Sequence, residues 1–133
     1  MKVQIFASDI SEIAIKKARA GIYNRENIES VSEERLQKYF HKTGSSYEVN
    51  KLIRDLCVFA PHNFLKDPPF AKLDLVSCRN VLIYFDRPTQ EKVILKLCSK
   101  LEAGGYLFLG HSESISNMNL PLLQIQPTIF KKI

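Results

Sequence analysis

The stretch LDLVSCRNVLIYF, residues 73–85, decides the fold class of this 133-residue chain. Two apolar runs, Leu73–Cys78 and Val81–Phe85, flank Arg79 and Asn80, whose guanidinium and amide groups are costly to bury. The first run could be one buried strand, and the apolar run at residues 3–7 predicts a strand buried on both faces, as in a parallel sheet. Because ligands of open α/β sheets bind at the carboxyl ends of strands, Arg79 and Asn80 indicate a binding crevice.

The whole chain alternates predicted strands and helices, which is the pattern of an α/β protein with a largely parallel sheet. Capping residues, glycines and a proline in a first helical turn predict where the helices begin and end. The predicted elements are a strand at 3–7, a helix from Ser11 to Gly21, a helix capped by Ser32, extended pieces at 47–50 and 56–60, a strand at 72–77, a helix from Asp86 to Gly104-Gly105 with Val93, Ile94, Leu97 and Leu101 buried, a strand at 106–109, and a hairpin at 122–133.

Two further predicted strands also end in polar residues. Asp9 follows the strand at 3–7, and Asn63 follows the extended piece at 56–60. At a shared strand edge, a carboxylate can accept hydrogen bonds from a ribose diol, and an amide can pair with an adenine edge or an amino-acid zwitterion. Arg79 would add a planar fork suited to a carboxylate. The sequence therefore predicts one polar cluster built from three strand ends.

Each of these residues also has a structural interpretation, which the sequence leaves open. Asp9 lies just before a helix and is suited to capping it. Asn63 is a common type of turn residue. Arg79 could form an ion pair with Asp74 or Asp86.

Composition argues against several functional classes. The net charge of +5 comes from 19 Lys and Arg and 14 Asp and Glu, which are interleaved without a basic stripe, so nucleic-acid binding is a minor alternative. No apolar run approaches the roughly 20 residues of a membrane-spanning helix, and the first ten residues lack signal-peptide character, so we expect a cytoplasmic protein without membrane insertion. The three cysteines and three histidines are scattered, which predicts buried free thiols and no metal site.

Four segments together resemble the CheR-type chemotaxis-receptor methyltransferases, in particular the form found in CheB/CheR hybrid signalling proteins. They are FASDISEIAIKKARAGIY, RLQKYF, DPPFAKLDLVSCRNVLIYFDRPTQEKV and GGYLFLGHSES. The resemblance covers nearly the whole chain and implies a Rossmann-like methyltransferase fold with S-adenosylmethionine as cofactor. It also implies methylation of glutamate side chains on chemotaxis receptors, so the partner would be such a receptor or a related signalling protein.

The resemblance also implies roles for individual residues. Asp9 would bind the ribose hydroxyls of the cofactor, and Asn63 with Phe64 would border the adenine. Arg79 and Asn80 would lie beside the amino-acid and sugar end. The catalytic position would be Tyr84, facing the site of methyl transfer. For His111 of the GHSES motif, a structural or loop-ordering role is expected in preference to a catalytic one.

The chain departs from the family at its beginning. Family members order their strands 3-2-1-4-5-7-6, and here the first strand and the glycine-containing cofactor loop have no counterpart before Val3. We therefore expect a truncated methyltransferase domain over 1–133, with a small β-hairpin insertion at about 44–60. Either residues 3–7 pair directly with residues 73–77, or a second chain fills the gap and gives a homodimer.

Truncation also bears on activity. The resemblance implies a protein-glutamate O-methyltransferase. Because of the truncation, we expect this isolated fragment to be inactive. The alternative is a non-catalytic interaction module built on a truncated methyltransferase fold.

Overall fold

The computed structural model describes residues 1–61, 72–115 and 117–133. The chain divides into two compact units, Met1–Asn63 and Phe64–Ile133. The first unit contains β1 (Ile5–Asp9), α1 (Glu12–Ala20), β2 (Ile22–Asn24), α2 (Glu33–Tyr39), β3 (Phe40–Thr43), β4 (Ser46–Val49), α3 (Lys51–Arg54) and β5 (Cys57–Pro61). The second contains β6 (Leu73–Cys78), α4 (Arg87–Lys100), β7 (Leu101–Leu109), β8 (Leu122–Gln126) and β9 (Ile129–Lys132).

In the first unit, β1 and β5 form a parallel pair with α1 packed against both strands. The predicted ends of α1 are confirmed, because the Ser11 hydroxyl accepts a hydrogen bond from the Ala14 N–H and Gly21 closes the helix in a left-handed conformation. In the same way Ser32 caps α2. A separate antiparallel sheet has the order β2-β4-β3.

The expectation that residues 3–7 are buried on both faces is wrong, since Ile5 and Phe6 are 45% and 44% exposed. Their sheet in this unit has only two strands, β1 and β5, which is too small to enclose a strand. Direct pairing of these residues with residues 73–77 is not among the described strand pairs. The partner of β1 is β5, and the partner of β6 is β7.

The second unit is a four-stranded sheet with α4 packed against it. Its order is β6-β7-β9-β8, in which β6 and β7 run parallel and the predicted terminal hairpin forms β8 and β9. The core of this unit contains the predicted stripe Val93, Ile94, Leu97 and Leu101. Its other buried residues are Cys78, Leu82, Cys98, Leu107, Leu109, Ile115 and Phe130.

The start of α4 follows the prediction. The Asp86 carboxylate accepts a hydrogen bond from the Thr89 N–H at 2.9 Å, and Pro88 lies in the first turn. Hydrogen bonds from the Thr89 side chain and, to a smaller extent, from its backbone N–H favour the ionised form and lower the pKa of Asp86 below its usual value. The cap is therefore charged at neutral pH, where it complements the positive end of the helix dipole.

The predicted end of α4 at Gly104-Gly105 is wrong. The helix ends at Lys100, and both glycines lie inside β7, where the register jumps from Leu73 opposite Leu101 to Leu75 opposite Tyr106. Gly104 has a φ of +84°, and a Cβ on Gly105 would lie 3.0 Å from the carbonyl oxygen of Asp74. The glycines therefore accommodate an irregular pairing within a strand. The local sequence does not distinguish this role from the termination of a helix.

Candidate functional site

The loop after β6 explains why Arg79 and Asn80 interrupt the apolar segment. The strand ends at the buried Cys78, and both polar residues are exposed. Asn80 has a φ of +59°, a left-handed conformation that Asn tolerates better than most residues. The chain thus turns sharply here, before Leu82 returns to the core.

A single carboxylate, that of Glu113, holds this loop. Its Oε1 accepts hydrogen bonds from the N–H groups of Asn80 at 3.0 Å and Gly110 at 2.8 Å. Its Oε2 accepts from the N–H groups of Val81 at 3.1 Å and Leu82 at 2.6 Å. Four backbone donors that the turn would otherwise leave unpaired are therefore satisfied by one side chain.

Gly110, the residue directly after β7, is required for this approach. It is buried, and a Cβ there would lie 2.9 Å from Glu113 Oε1 and 2.8 Å from Asn80 Oδ1. We refer to Asn80, Val81, Leu82, Gly110 and Glu113 as the carboxylate clamp. The sequence interpretation missed both Gly110 and Glu113. The available signal was a glycine directly after a buried strand with an acid three residues later.

Arg79 lies over the ring of Phe108 in β7, with its guanidinium carbon 4.6 Å from the ring centroid. This is a cation–π contact, which leaves the N–H groups at the edge of the guanidinium free to donate. Within residues 1–61, 72–115 and 117–133 no ion pair is found for Arg79, so neither Asp74 nor Asp86 is its partner. The arrangement suits binding of an external carboxylate.

Tyr84 lies on a short 3-10 turn, Leu82–Tyr84, next to the clamp. Its side chain is 80% exposed. The amide of Gln90, on α4, donates to the carbonyl oxygens of Leu82 at 2.8 Å and Phe85 at 3.1 Å. The backbone that carries Tyr84 is therefore held at both ends while the phenol faces outward.

In the first unit, Asp9 ends β1 opposite Pro61 of β5, so the carboxyl ends of these parallel strands meet as predicted. Asp9 Oδ1 accepts a hydrogen bond from the Ser11 N–H at 2.9 Å, whereas the helix cap itself is Ser11. For Asp9 Oδ2, no partner is found in the part of the chain that the structure describes. Asn63 and Phe64 lie outside the described residues.

His111, the remaining residue singled out in the sequence, is exposed directly after Gly110. Its ring makes no hydrogen bond to the described ranges. Among those same residues, no group of side chains is arranged to hold a metal ion. None of the helices described is long and apolar enough to cross a membrane.

The thiols have no disulfide partner, and Cys78 and Cys98 are buried. Burial, and to a smaller extent the charge of Glu113, raises the pKa of Cys78 from 9.0 to about 11. Burial likewise raises the pKa of Cys98. Because the folded protein holds the proton of Cys78 more tightly than the unfolded chain, its stabilising contribution is present below pH 9 and is lost as the pH rises toward 11.

We expect Cys78 to resist alkylation by iodoacetamide at pH 8 in the folded protein. A pKa near 11 in place of 9.0 reduces the reactive thiolate about 100-fold. Cys57, which is partly exposed, is the internal control and should react first. Mass spectrometry of peptides after timed labelling would measure both rates, and equal rates for the two thiols before urea is added would contradict this expectation.

Parallel strand ends bearing a carboxylate in one unit and a guanidinium–amide pair in the other are features of an α/β protein that binds a ligand at the carboxyl ends of its strands. The sequence comparison makes the assignment specific. The chain belongs to the CheR methyltransferase family, because the family model for the SAM-binding domain matches residues 1–130. The family's cofactor is therefore S-adenosylmethionine.

Curated relatives agree with this assignment. The chain is 38% identical to a chemotaxis protein methyltransferase of Klebsiella aerogenes, over 87% of this chain and 42% of that protein. It is 38% identical to chemotaxis protein methyltransferase 1 of Pseudomonas aeruginosa, over 96% of this chain and 48% of that protein. It is also 40% identical to an uncharacterised 104.1 kDa protein of Rhodobacter capsulatus, over 85% of this chain and 12% of that protein. The chain thus spans less than half of these relatives.

The described residues contain donors and acceptors that fit S-adenosylmethionine. The edge of the Arg79 guanidinium, unpaired in the described residues, matches the carboxylate of the cofactor's amino-acid portion. Asp9 Oδ2 matches the hydroxyls of its ribose. Each residue lies at a strand's carboxyl end in its own unit.

Proposed function

We propose that the chain is part of a protein-glutamate O-methyltransferase, which transfers a methyl group from S-adenosylmethionine to glutamate side chains of chemotaxis receptors. The observation that carries the proposal is Arg79. Its guanidinium is stacked on Phe108 without a carboxylate partner among the described residues. It lies at the carboxyl end of a parallel strand in a chain of the CheR family.

The proposed roles follow the chemistry of each side chain. Arg79 and Asn80 bind the amino-acid and sugar end, Asp9 binds the ribose hydroxyls, and Asn63 with Phe64 borders the adenine. Tyr84 faces the site of transfer. Its exposure of 80% supports this role, because a residue at that position has to be reachable by a protein substrate.

When bound, S-adenosylmethionine supplies a methyl group already activated by its sulfonium charge. The acceptor glutamate is ionised at neutral pH, so the protein needs no strong base. The task of this chain's residues is then to hold and orient the cofactor, which is how positioning accelerates a two-reactant step. The predicted site residues include no nucleophile–base pair, which is consistent with a protein that positions an already activated methyl group.

The proposal extends to partners and location. The acceptor is a methyl-accepting chemotaxis receptor or a related signalling protein, and the location is the cytoplasm. Residues 1–133 form part of the methyltransferase domain, with a β-subdomain-like insertion at about 44–60. A second copy pairing with an exposed sheet edge would give a homodimer.

We expect the 133-residue chain to bind S-adenosylhomocysteine in calorimetric titration and the Asp9→Ala variant to bind about tenfold or more weakly. Loss of a charged hydrogen-bond acceptor to a ribose hydroxyl accounts for this size of effect. Asp9→Asn should lie between the two, because an amide oxygen can keep the bond to the Ser11 N–H.

The matched control is Glu26→Gln, which removes an exposed carboxylate from the same unit and should leave the affinity unchanged. Equal affinities of the wild type and Asp9→Ala would remove Asp9 from the site. Failure of the wild type to bind would contradict cofactor binding by this chain and would support the non-catalytic interaction module.

A further inference from the structure

The carboxylate clamp holds the loop that carries Arg79 and Asn80, two of the residues proposed to bind the cofactor. Arg79 precedes Asn80, and Asn80 is the first of three successive residues whose N–H groups point at Glu113. The left-handed conformation of Asn80 sets the direction in which the chain leaves β6. Whatever fixes Asn80 therefore also fixes where the Arg79 side chain begins.

Glu113 reaches the loop from a distant part of the chain. The bonds to Asn80 and Leu82 join residues 33 and 31 positions apart, while the bond to Gly110 ties the same carboxylate to the end of β7. Phe108, on which Arg79 stacks, is in that same strand, two residues before Gly110. One carboxylate thus connects the loop that carries Arg79 to the strand that supports the Arg79 guanidinium.

We infer that Glu113 is a positioning residue: by accepting four backbone hydrogen bonds it holds the loop 79–82 in the conformation that presents Arg79 and Asn80 to the cofactor. Glu113 does not itself touch the cofactor in this assignment. The inference rests on the proposed function, but the part that says Glu113 holds the loop 79–82 can be tested without any ligand.

The ligand-free test compares wild type with Glu113→Gln by NMR. An amide presents N–H₂ to two of the four backbone donors, so at least two hydrogen bonds are lost. The amide protons of the clamp should shift upfield and exchange with water about tenfold or more faster in the variant. Glu102→Gln, an exposed acid in β7, is the control and should leave those signals unchanged. Unchanged clamp signals in Glu113→Gln would overturn the inference.

The ligand test is a double-mutant cycle on binding of S-adenosylhomocysteine. Glu113→Gln should weaken binding about tenfold in the wild-type background and less than about twofold in a background that already carries Arg79→Ala and Asn80→Gly, since Glu113 acts through these two residues. Equal effects in both backgrounds would mean general destabilisation and would overturn the positioning role. If Glu113→Gln does not fold, Gly110→Ala provides the same cycle, because its Cβ would lie 2.9 Å from Glu113 Oε1.

The two tests separate the inference from the proposed function. If wild type does not bind S-adenosylhomocysteine, cofactor binding by this chain fails, together with the part of the inference that concerns the cofactor. The clamp's control of the loop is then decided by the NMR comparison alone.

Discussion

We expect the Arg79→Ala variant to bind S-adenosylhomocysteine between about tenfold and a hundredfold more weakly than wild type. Hydrogen bonds to a charged group contribute about 1.5–3 kcal/mol, which corresponds to that range of affinity. Arg79 makes no ion pair with the described residues, so its guanidinium does not have to leave a protein partner before it binds a ligand carboxylate. Calorimetric titration at fixed ionic strength measures the difference directly.

Two further variants show what the guanidinium contributes beyond its charge. Arg79→Lys keeps the positive charge and loses the planar fork, so it should recover only part of the affinity. Lys92→Ala removes one positive charge from the exposed face of α4 and should bind like wild type. Wild-type affinity in Arg79→Ala would show that Arg79 packs on Phe108 without binding the cofactor.

The largest expected effect on stability is that of Leu107→Ala, which should lower the free energy of unfolding by about 2–5 kcal/mol. Leu107 is 0% exposed and lies in β7, where its neighbours across the sheet are Val76 in β6 and Phe130 in β9. Removing its side chain leaves a cavity in the core that α4 covers. Urea unfolding followed by circular dichroism measures the change.

Leu123→Ala is a matched control, since it is the same substitution in the same sheet at a residue that is 57% exposed. Its cost should stay within about 0.5 kcal/mol, as is usual for surface positions. Similar losses in the two variants would mean that the face of the sheet carrying Leu123 is as well packed as the core, contrary to the burial seen here.

Local sequence was sufficient for most of the helices. Ser11, Ser32 and Asp86 were predicted as caps or helix starts and act as caps, because a cap is an interaction between residues two or three positions apart. The buried stripe of α4 was also predictable, since its period follows from helix geometry. The terminal hairpin formed for the same reason, as its two strands are close in the sequence.

Gly104-Gly105 shows where local signals fail. A glycine pair after a helical pattern predicts a helix end, yet here the helix stops at Lys100 and the glycines fit an irregular pairing with β6. The deciding contact is the close approach of Gly105 to the Asp74 carbonyl, about thirty residues earlier in the chain. Residues 3–7 were misjudged similarly, because their burial depends on how many strands the sheet contains.

The sequence by itself determined the helix caps, the core stripe of α4, and the family, since these depend on neighbouring residues or on motifs that are contiguous in the chain. It also pointed to Arg79 and Asn80 as the polar end of a strand. Only the tertiary structure showed that Glu113 holds their loop and that Phe108 supports the guanidinium. The physical reason is that both contacts join residues about thirty positions apart. Local propensity and periodicity do not predict which distant carboxylate or aromatic ring will contact a given loop.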